Sequence, residues 1–171
     1  MEYIVIILFV IVHICAGNEL GYSSSSPIWT HATYQFQHLN WIHLLLNSFT
    51  FLSLCKILRK ALPLSLILVY AYFTSVIISF FSELDLPTVG ASGMIYAMSG
   101  MFISISLIGE KLRIVDYSKF SLFLFGITIA LVLSAIKPHI NFFCHLLGLC
   151  LGSSIGILDN WLNHEKHSRR N

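Results

Sequence analysis

The sequence predicts an all-α membrane protein: a bundle of six transmembrane helices with both ends of the chain in the cytoplasm. Three observations lead there. The 171 residues are 56% hydrophobic and only 11% charged, against roughly 25% charged in a soluble domain. The apolar residues fall into six stretches, most of them near the ~20 residues a helix needs to cross the hydrocarbon. The basic residues gather on one side of the resulting arrangement, as the positive-inside rule requires of the cytoplasmic face. No long alternating pattern is present from which a barrel could be built, so helices are the spanning form.

The six stretches are Tyr3–Gly17, His38–Leu58, Leu62–Phe81, Gly90–Ile108, Ser118–Ile136 and Asn141–Leu158. The first and last are short. No repeat, low-complexity tract or soluble insertion interrupts them, so residues 1–171 read as one domain. Lys56, Arg59 and Lys60 follow the second stretch. Lys111, Arg113 and Lys119 surround the link after the fourth, and Lys166, Arg169 and Arg170 follow the sixth. Only Lys137 of the ten basic residues falls on the other side. The segments Asn18–Gln37, Ser82–Val89 and Lys137–His139 therefore face outward. The first stretch does not read as a cleaved signal, because its leading residues hold Glu2 and no Lys or Arg. Cys15, Cys55, Cys144 and Cys150 lie in apolar segments without C-x-x-C spacing and read as small buried apolar residues.

Polar groups at membrane depth are costly unless they have partners or a task. In this frame Ser92 lies at the outer start of the fourth span and His145 at the outer start of the sixth. His38 and His43 start the second span from the same side, so polar groups from three helices share one level. His43 and Asn47 are one helical turn apart on one face, as are Ser92 and Tyr96. A hydroxyl, an imidazole and hydrogen-bond donors are the parts needed to cut an amide bond. His145 would take the Ser92 proton as general base. Asn47, His43 and the free N–H of Ser92 would receive the oxyanion. Tyr96 would pack beneath the imidazole. All carboxylates fall in loops or at span ends, so a dyad is expected, not a triad.

Close helix approach has its own signal. Gly148, Gly152 and Gly156 repeat every four residues on the sixth span, and Gly93, Ala97 and Met101 share a face of the fourth. Faces of small residues let backbones come close in lipid. The remaining histidines read as interfacial (His31, His139) or incidental (His13, His164, His167).

Three motifs then carry a resemblance: His38-x4-His43-x3-Asn47, Gly90-x-Ser92-Gly93 with Tyr96, and His145-x2-Gly148-x3-Gly152. In these the chain resembles a rhomboid intramembrane serine protease. The resemblance implies Ser92 as nucleophile and His145 as base. It puts His43 and Asn47 at the oxyanion site, Tyr96 in support of His145, and Gly90 beside the substrate backbone. It implies cleavage of membrane-anchored proteins near the outer end of their helix, without metal or organic cofactor. The expected partners are such substrates and the bilayer, with no nucleic acid. The expected setting is a bacterial inner membrane with the site opening outward. Trp29 is followed by Thr30 where many family members carry Arg. The segment Trp29–Gln37, the short length and the short tails resemble instead the rhombosortase branch, which processes C-terminal Gly-Gly sorting anchors.

Other functions fit less well. A catalytically inactive relative that binds transmembrane helices usually lacks the serine or histidine, and both are here. A metal centre of His38, His43 and His145 would lack any acidic partner and any H-E-x-x-H motif.

Overall fold

Apolar runs bounded by capping residues form the helices of this chain. The computed structural model describes residues 1–82, 84–108, 117–137 and 140–168, excluding the side chains of Asn18 and of residues 163–168. Seven α-helices form among the described residues: α1 (Glu2–Cys15), α2 (Thr30–Thr33), α3 (Trp41–Leu58), α4 (Leu64–Ser79), α5 (Ser92–Ile108), α6 (Tyr117–Ile136) and α7 (Phe142–Ser168). Short 3-10 turns at Asn18–Leu20 and Tyr34–Phe36 complete the segment between α1 and α3. Asn40 caps α3, its Oδ1 accepting the His43 N–H at 2.9 Å. Pro63 opens α4, where its carbonyl receives the Leu66 and Ile67 N–H groups.

Three of these helices are long and apolar enough to cross a membrane: α3, α6 and the Phe142–Leu162 portion of α7. Helices α1, α4 and α5 are apolar but shorter, at 14, 16 and 17 residues. The boundaries differ from the expected spans where loop geometry intervenes. His38 is not on the second helix. It precedes the Asn40 cap, because the cap's extended backbone (φ −159°) breaks the run. Gly90 likewise lies before α5, at φ 115°. The last helix runs to Ser168, well past Leu158. Lys111, Arg113, His139, Arg169 and Arg170, and the side chains of His164, Lys166 and His167, lie outside the described residues.

Helix α5 forms the centre. Its residues from Gly93 to Met101 are all buried, and α3, α4 and α7 pack around it. Met94, Met98, Met101 and Ile105 of α5 join Phe9 of α1, Phe51 and Leu54 of α3 and Ile67 of α4 in the core. Helix α6 lies outermost, with only Phe120 and Ser134 buried. Its exposed Leu122, Phe125, Ile129 and Val132 present an apolar face. In water such a face would be an aggregation hazard; in lipid it is solvated.

Two contacts fix helix directions. Glu2 at the start of α1 pairs with Arg59 just beyond α3, at 3.1 Å. Asn160 of α7 donates to the Ile108 carbonyl at the end of α5, at 3.3 Å. The starts of α3, α5 and α7 therefore gather at the opposite end of the bundle, which is where Ser92 lies.

Helix α7 meets α5 through missing side chains. A Cβ at Gly148 would stand 3.0 Å from the Gly93 carbonyl oxygen, and one at Gly152 would stand 2.6 Å from the Ala97 carbonyl carbon. Gly100 faces the Leu149 carbonyl, and Gly156 faces Ser104. At Gly100, Gly148 and Gly152 the nearest atom is backbone, which cannot swing aside; at Gly156 it is the Ser104 hydroxyl. Replacing Gly152 with Val should therefore lower the thermal midpoint in detergent by the equivalent of about 3 kcal/mol or more, at the upper end of overpacking costs. Gly126→Ala on α6, where a Cβ meets nothing within 4 Å, should leave it unchanged or raise it slightly. Equal effects from the two would mean that the close α5–α7 contact is not a constraint.

Candidate active site

Ser92 is the first residue of α5, and its Oγ lies 2.9 Å from Nε2 of His145 in the first turn of α7. Most other serines in the apolar helices bond back to their own helix: Ser99 to Ile95, Ser104 to Gly100, Ser153 to Leu149. That is the ordinary way to satisfy a hydroxyl in lipid. Ser92 instead points across to another helix.

The His145 ring lies flat on Tyr96, with centroids 4.3 Å apart and planes 18° from parallel. Ser92 and Tyr96 are one turn apart, so α5 supplies both the hydroxyl and the platform that orients its partner. His145 is only 8% exposed, and its Nδ1 is buried without a hydrogen-bond partner among the described residues. For Nε2 to accept a proton, the neutral ring must carry its hydrogen on Nδ1. No described carboxylate receives that hydrogen.

The backbone leading into Ser92 passes His43 and Asn47. A Cβ at Gly90 would stand 2.6 Å from His43 Cε1, 2.7 Å from His43 Nε2 and 3.2 Å from Asn47 Nδ2. The positive φ and this crowding together require glycine. Leu39 N–H approaches Nδ1 of His43 at 3.5 Å. A ring accepting at Nδ1 carries its hydrogen on Nε2, the nitrogen that faces Gly90. Asn47 Nδ2 is buried and unpaired among the described residues. Leaving such a donor unmade costs about 1–3 kcal/mol.

Tyr34 buttresses the same segment. Its carbonyl accepts the Gly90 N–H at 3.0 Å, and its hydroxyl is held by Ser75 Oγ at 2.5 Å. A Cβ at Gly93 would stand 2.8 Å from that hydroxyl. Thus Gly90 and Gly93, on either side of Ser92, each leave room for a neighbour.

Three histidines sit differently from the sequence expectation. His38 does not join the Ser92–His145 pair; its ring packs 5.1 Å from Phe9 and 5.2 Å, edge-on, from His43. His13, read as incidental, lies with Nδ1 3.1 Å from the His38 carbonyl and meets Trp41 edge-on at 4.5 Å. His31, read as interfacial, is 4% exposed, bonds to Ser79 Oγ at 2.9 Å and stacks on Phe80 at 4.1 Å. The burial of His31 and the half-buried contacts of His13 follow from how the outer segment folds back on the helix ends, which local periodicity does not report. Among the described residues, no group of three His, Cys, Asp or Glu side chains is arranged to hold a metal ion.

Residues 25–161 match the family model described as the Rhomboid domain. The chain belongs to the rhomboid family. This rhomboid is 31% identical over 146 residues to a Bacillus subtilis (strain 168) protein named "Putative rhomboid protease YdcA". The match covers 83% of this chain and 72% of that protein. Family membership and the three long apolar helices make it an integral membrane protein.

The stacked ring gives this rhomboid a graded test. If Ser92 and His145 act together in cleavage, Tyr96→Phe keeps the platform and should retain most activity. Tyr96→Ala removes a stack worth about 0.5–1.5 kcal/mol and should lower kcat roughly 2- to 12-fold. Cleavage rates with a helical reporter substrate would show it, and equal rates for the two variants would exclude orientation by stacking.

Proposed function

We propose that this rhomboid is an intramembrane serine endopeptidase that uses a Ser92–His145 dyad. The 2.9 Å approach of Ser92 Oγ to His145 Nε2 carries the reading, because that contact joins two helices and serves no helix of its own.

The steps follow from the geometry. His145 Nε2 takes the proton as Ser92 Oγ attacks a peptide carbonyl. Negative charge develops on the carbonyl oxygen beside Gly90, within reach of His43 Nε2–H and Asn47 Nδ2–H. The Ser92 backbone N–H, at a helix start, adds a third donor. The unpaired state of Asn47 Nδ2 suits a group whose partner exists only during reaction. His145 then protonates the leaving amine, and water attacking the acyl-Ser92 ester completes hydrolysis.

In this proposal the chain is one domain of six spans, with α1, α4 and α5 crossing together with the three longer helices. Arg59, Lys56 and Lys60 lie at the Glu2 end of the bundle, so the positive-inside rule makes that end cytoplasmic. Both termini then lie inside, and Ser92 opens toward the outer, periplasmic-type face of a bacterial cell membrane. The substrates are proteins anchored by a transmembrane helix, cut near its outer end. A preference for C-terminal Gly-Gly sorting anchors is the rhombosortase variant of this reading, drawn from Trp29–Gln37.

Co-expression with anchored candidates, including one Gly-Gly anchor, and mass-spectrometric mapping of the cut site tests the reading. Ser92→Ala and His145→Ala should each abolish the cut. Asn47→Ala should lower kcat about 10²- to 10³-fold, as loss of one oxyanion donor does elsewhere. EDTA should leave the rate unchanged. Cleavage that persists in Ser92→Ala would sink the proposal; a wild-type protein that binds the anchors without cutting them would favour the helix-binding, non-catalytic alternative.

A further inference from the structure

Asn141 is 5% exposed, and its carboxamide is bonded at both ends. Oδ1 accepts the Cys144 N–H at 3.0 Å, capping α7. Nδ2 has two hydrogens to share among three acceptors within reach, the Ser82 carbonyl at 2.6 Å, Thr88 Oγ1 at 2.9 Å and the Tyr22 hydroxyl at 3.0 Å. The Tyr22 hydroxyl lies 2.9 Å from Ser82 Oγ, which in turn donates to the Ile78 carbonyl at 2.8 Å. Burial pushes the Tyr22 phenol well above its ordinary pKa, so it keeps its hydrogen. Tyr22 and Thr88 also exchange both backbone hydrogen bonds, at 3.2 and 2.8 Å.

The places of these partners in the chain give the cluster its meaning. Asn141 precedes His145 by four residues, and Thr88 precedes Ser92 by four. One carboxamide therefore joins the segment that leads into the hydroxyl to the helix start that carries the imidazole.

We propose that Asn141 is a positioning residue for the Ser92–His145 pair, fixing the Oγ–Nε2 distance by tying the Thr88 segment to the start of α7. The inference rests on the dyad reading above. It concerns no atom that touches substrate. A misplacement of about 1 Å between reacting groups can cost about 10²-fold in rate, so a clamp this near both partners is kinetically visible.

The experiment uses the full chain in detergent–lipid micelles with three readouts. They are kcat and KM on an anchored helical substrate, the rate at which a fluorophosphonate labels Ser92 per folded molecule, and the thermal midpoint. Asn141→Ala should lower kcat and the labelling rate together by about 10- to 100-fold, with KM within about twofold. Thr88→Val removes only the arm toward Ser92 and should lower both by about 3- to 10-fold. The double variant should be no slower than Asn141→Ala, because both act through one link. Asn141→Asp keeps the cap but loses the donors, and should behave like Asn141→Ala.

Labelling of Asn141→Ala and Thr88→Val at the wild-type rate per folded molecule would overturn the inference and leave a purely structural role. So would losses that multiply in the double variant. In either case, abolished cleavage in Ser92→Ala would show that the dyad stands and only the clamp has failed. Cleavage and labelling that survive Ser92→Ala would remove the dyad itself. Should Asn141→Ala not fold, Thr88→Val decides alone.

Discussion

The contact between α5 and α7 is made of backbone, and the Ser92–His145 distance depends on it. Packed helices ordinarily stand 8–10 Å apart, according to the side chains between them. A hydrogen bond between side chains as short as serine and histidine requires the low end of that range. Lipid supplies no hydrophobic drive for helix association, so close packing of small residues has to hold the helices together. Gly148, Gly152 and Gly156 on α7 press against Gly93, Ala97 and Met101–Ser104 on α5. Gly93 shares the site directly, because the same backbone carries Ser92 and receives Gly148. Helix packing and the placement of the reactive pair are one constraint.

Polar groups are then distributed by how well they are satisfied. Ser99, Ser104, Ser134 and Ser153 return their hydroxyls to their own helices, which costs little. Among the described residues, the buried polar atoms without partners include His145 Nδ1 and Asn47 Nδ2. Unsatisfied groups persist where surrounding packing over-determines them, and such places are commonly sites of chemistry. Ser48 Oγ and Ser106 Oγ are also unpartnered; nothing in the structure explains them.

Much of this was legible in the sequence because it is periodic. The four-residue spacing of Ser92 and Tyr96, of His43 and Asn47, and of the α7 glycines places each pair on one helix face regardless of tertiary detail. The order of the spans then brings Ser92, His43 and His145 to one end. What escaped was set by loops. His38 looked helical until Asn40 took the cap. Gly90 looked like the first residue of a span, but its positive φ puts it in the approach to α5. His31 and Asn141 draw their roles from partners 48 to 119 residues away, distances that no local pattern encodes. One weak signal for Asn141 was present, since asparagine just before an apolar run is a capping residue. The contacts of its Nδ2 with Ser82, Thr88 and Tyr22 were not foreseeable.

The arrangement also bears on why the proposed dyad would need no third residue. In a triad, a buried carboxylate holds the imidazole in place and stabilises its charged form. Burying a carboxylate beside this pair would cost several kcal/mol before any benefit. Tyr96 supplies orientation without charge: a stacked ring sets the imidazole plane. The start of α7 sets its height, through a cap whose carboxamide is anchored to Thr88, Ser82 and Tyr22. Two neutral devices thus replace the positional part of the carboxylate's work. They do not replace its stabilisation of the imidazolium, so the proposed dyad should run a slower chemical step than a triad of equal geometry. For a membrane-embedded protease of the proposed kind the trade is favourable, because an unpaired buried charge threatens the fold, whereas a modest rate limits only turnover.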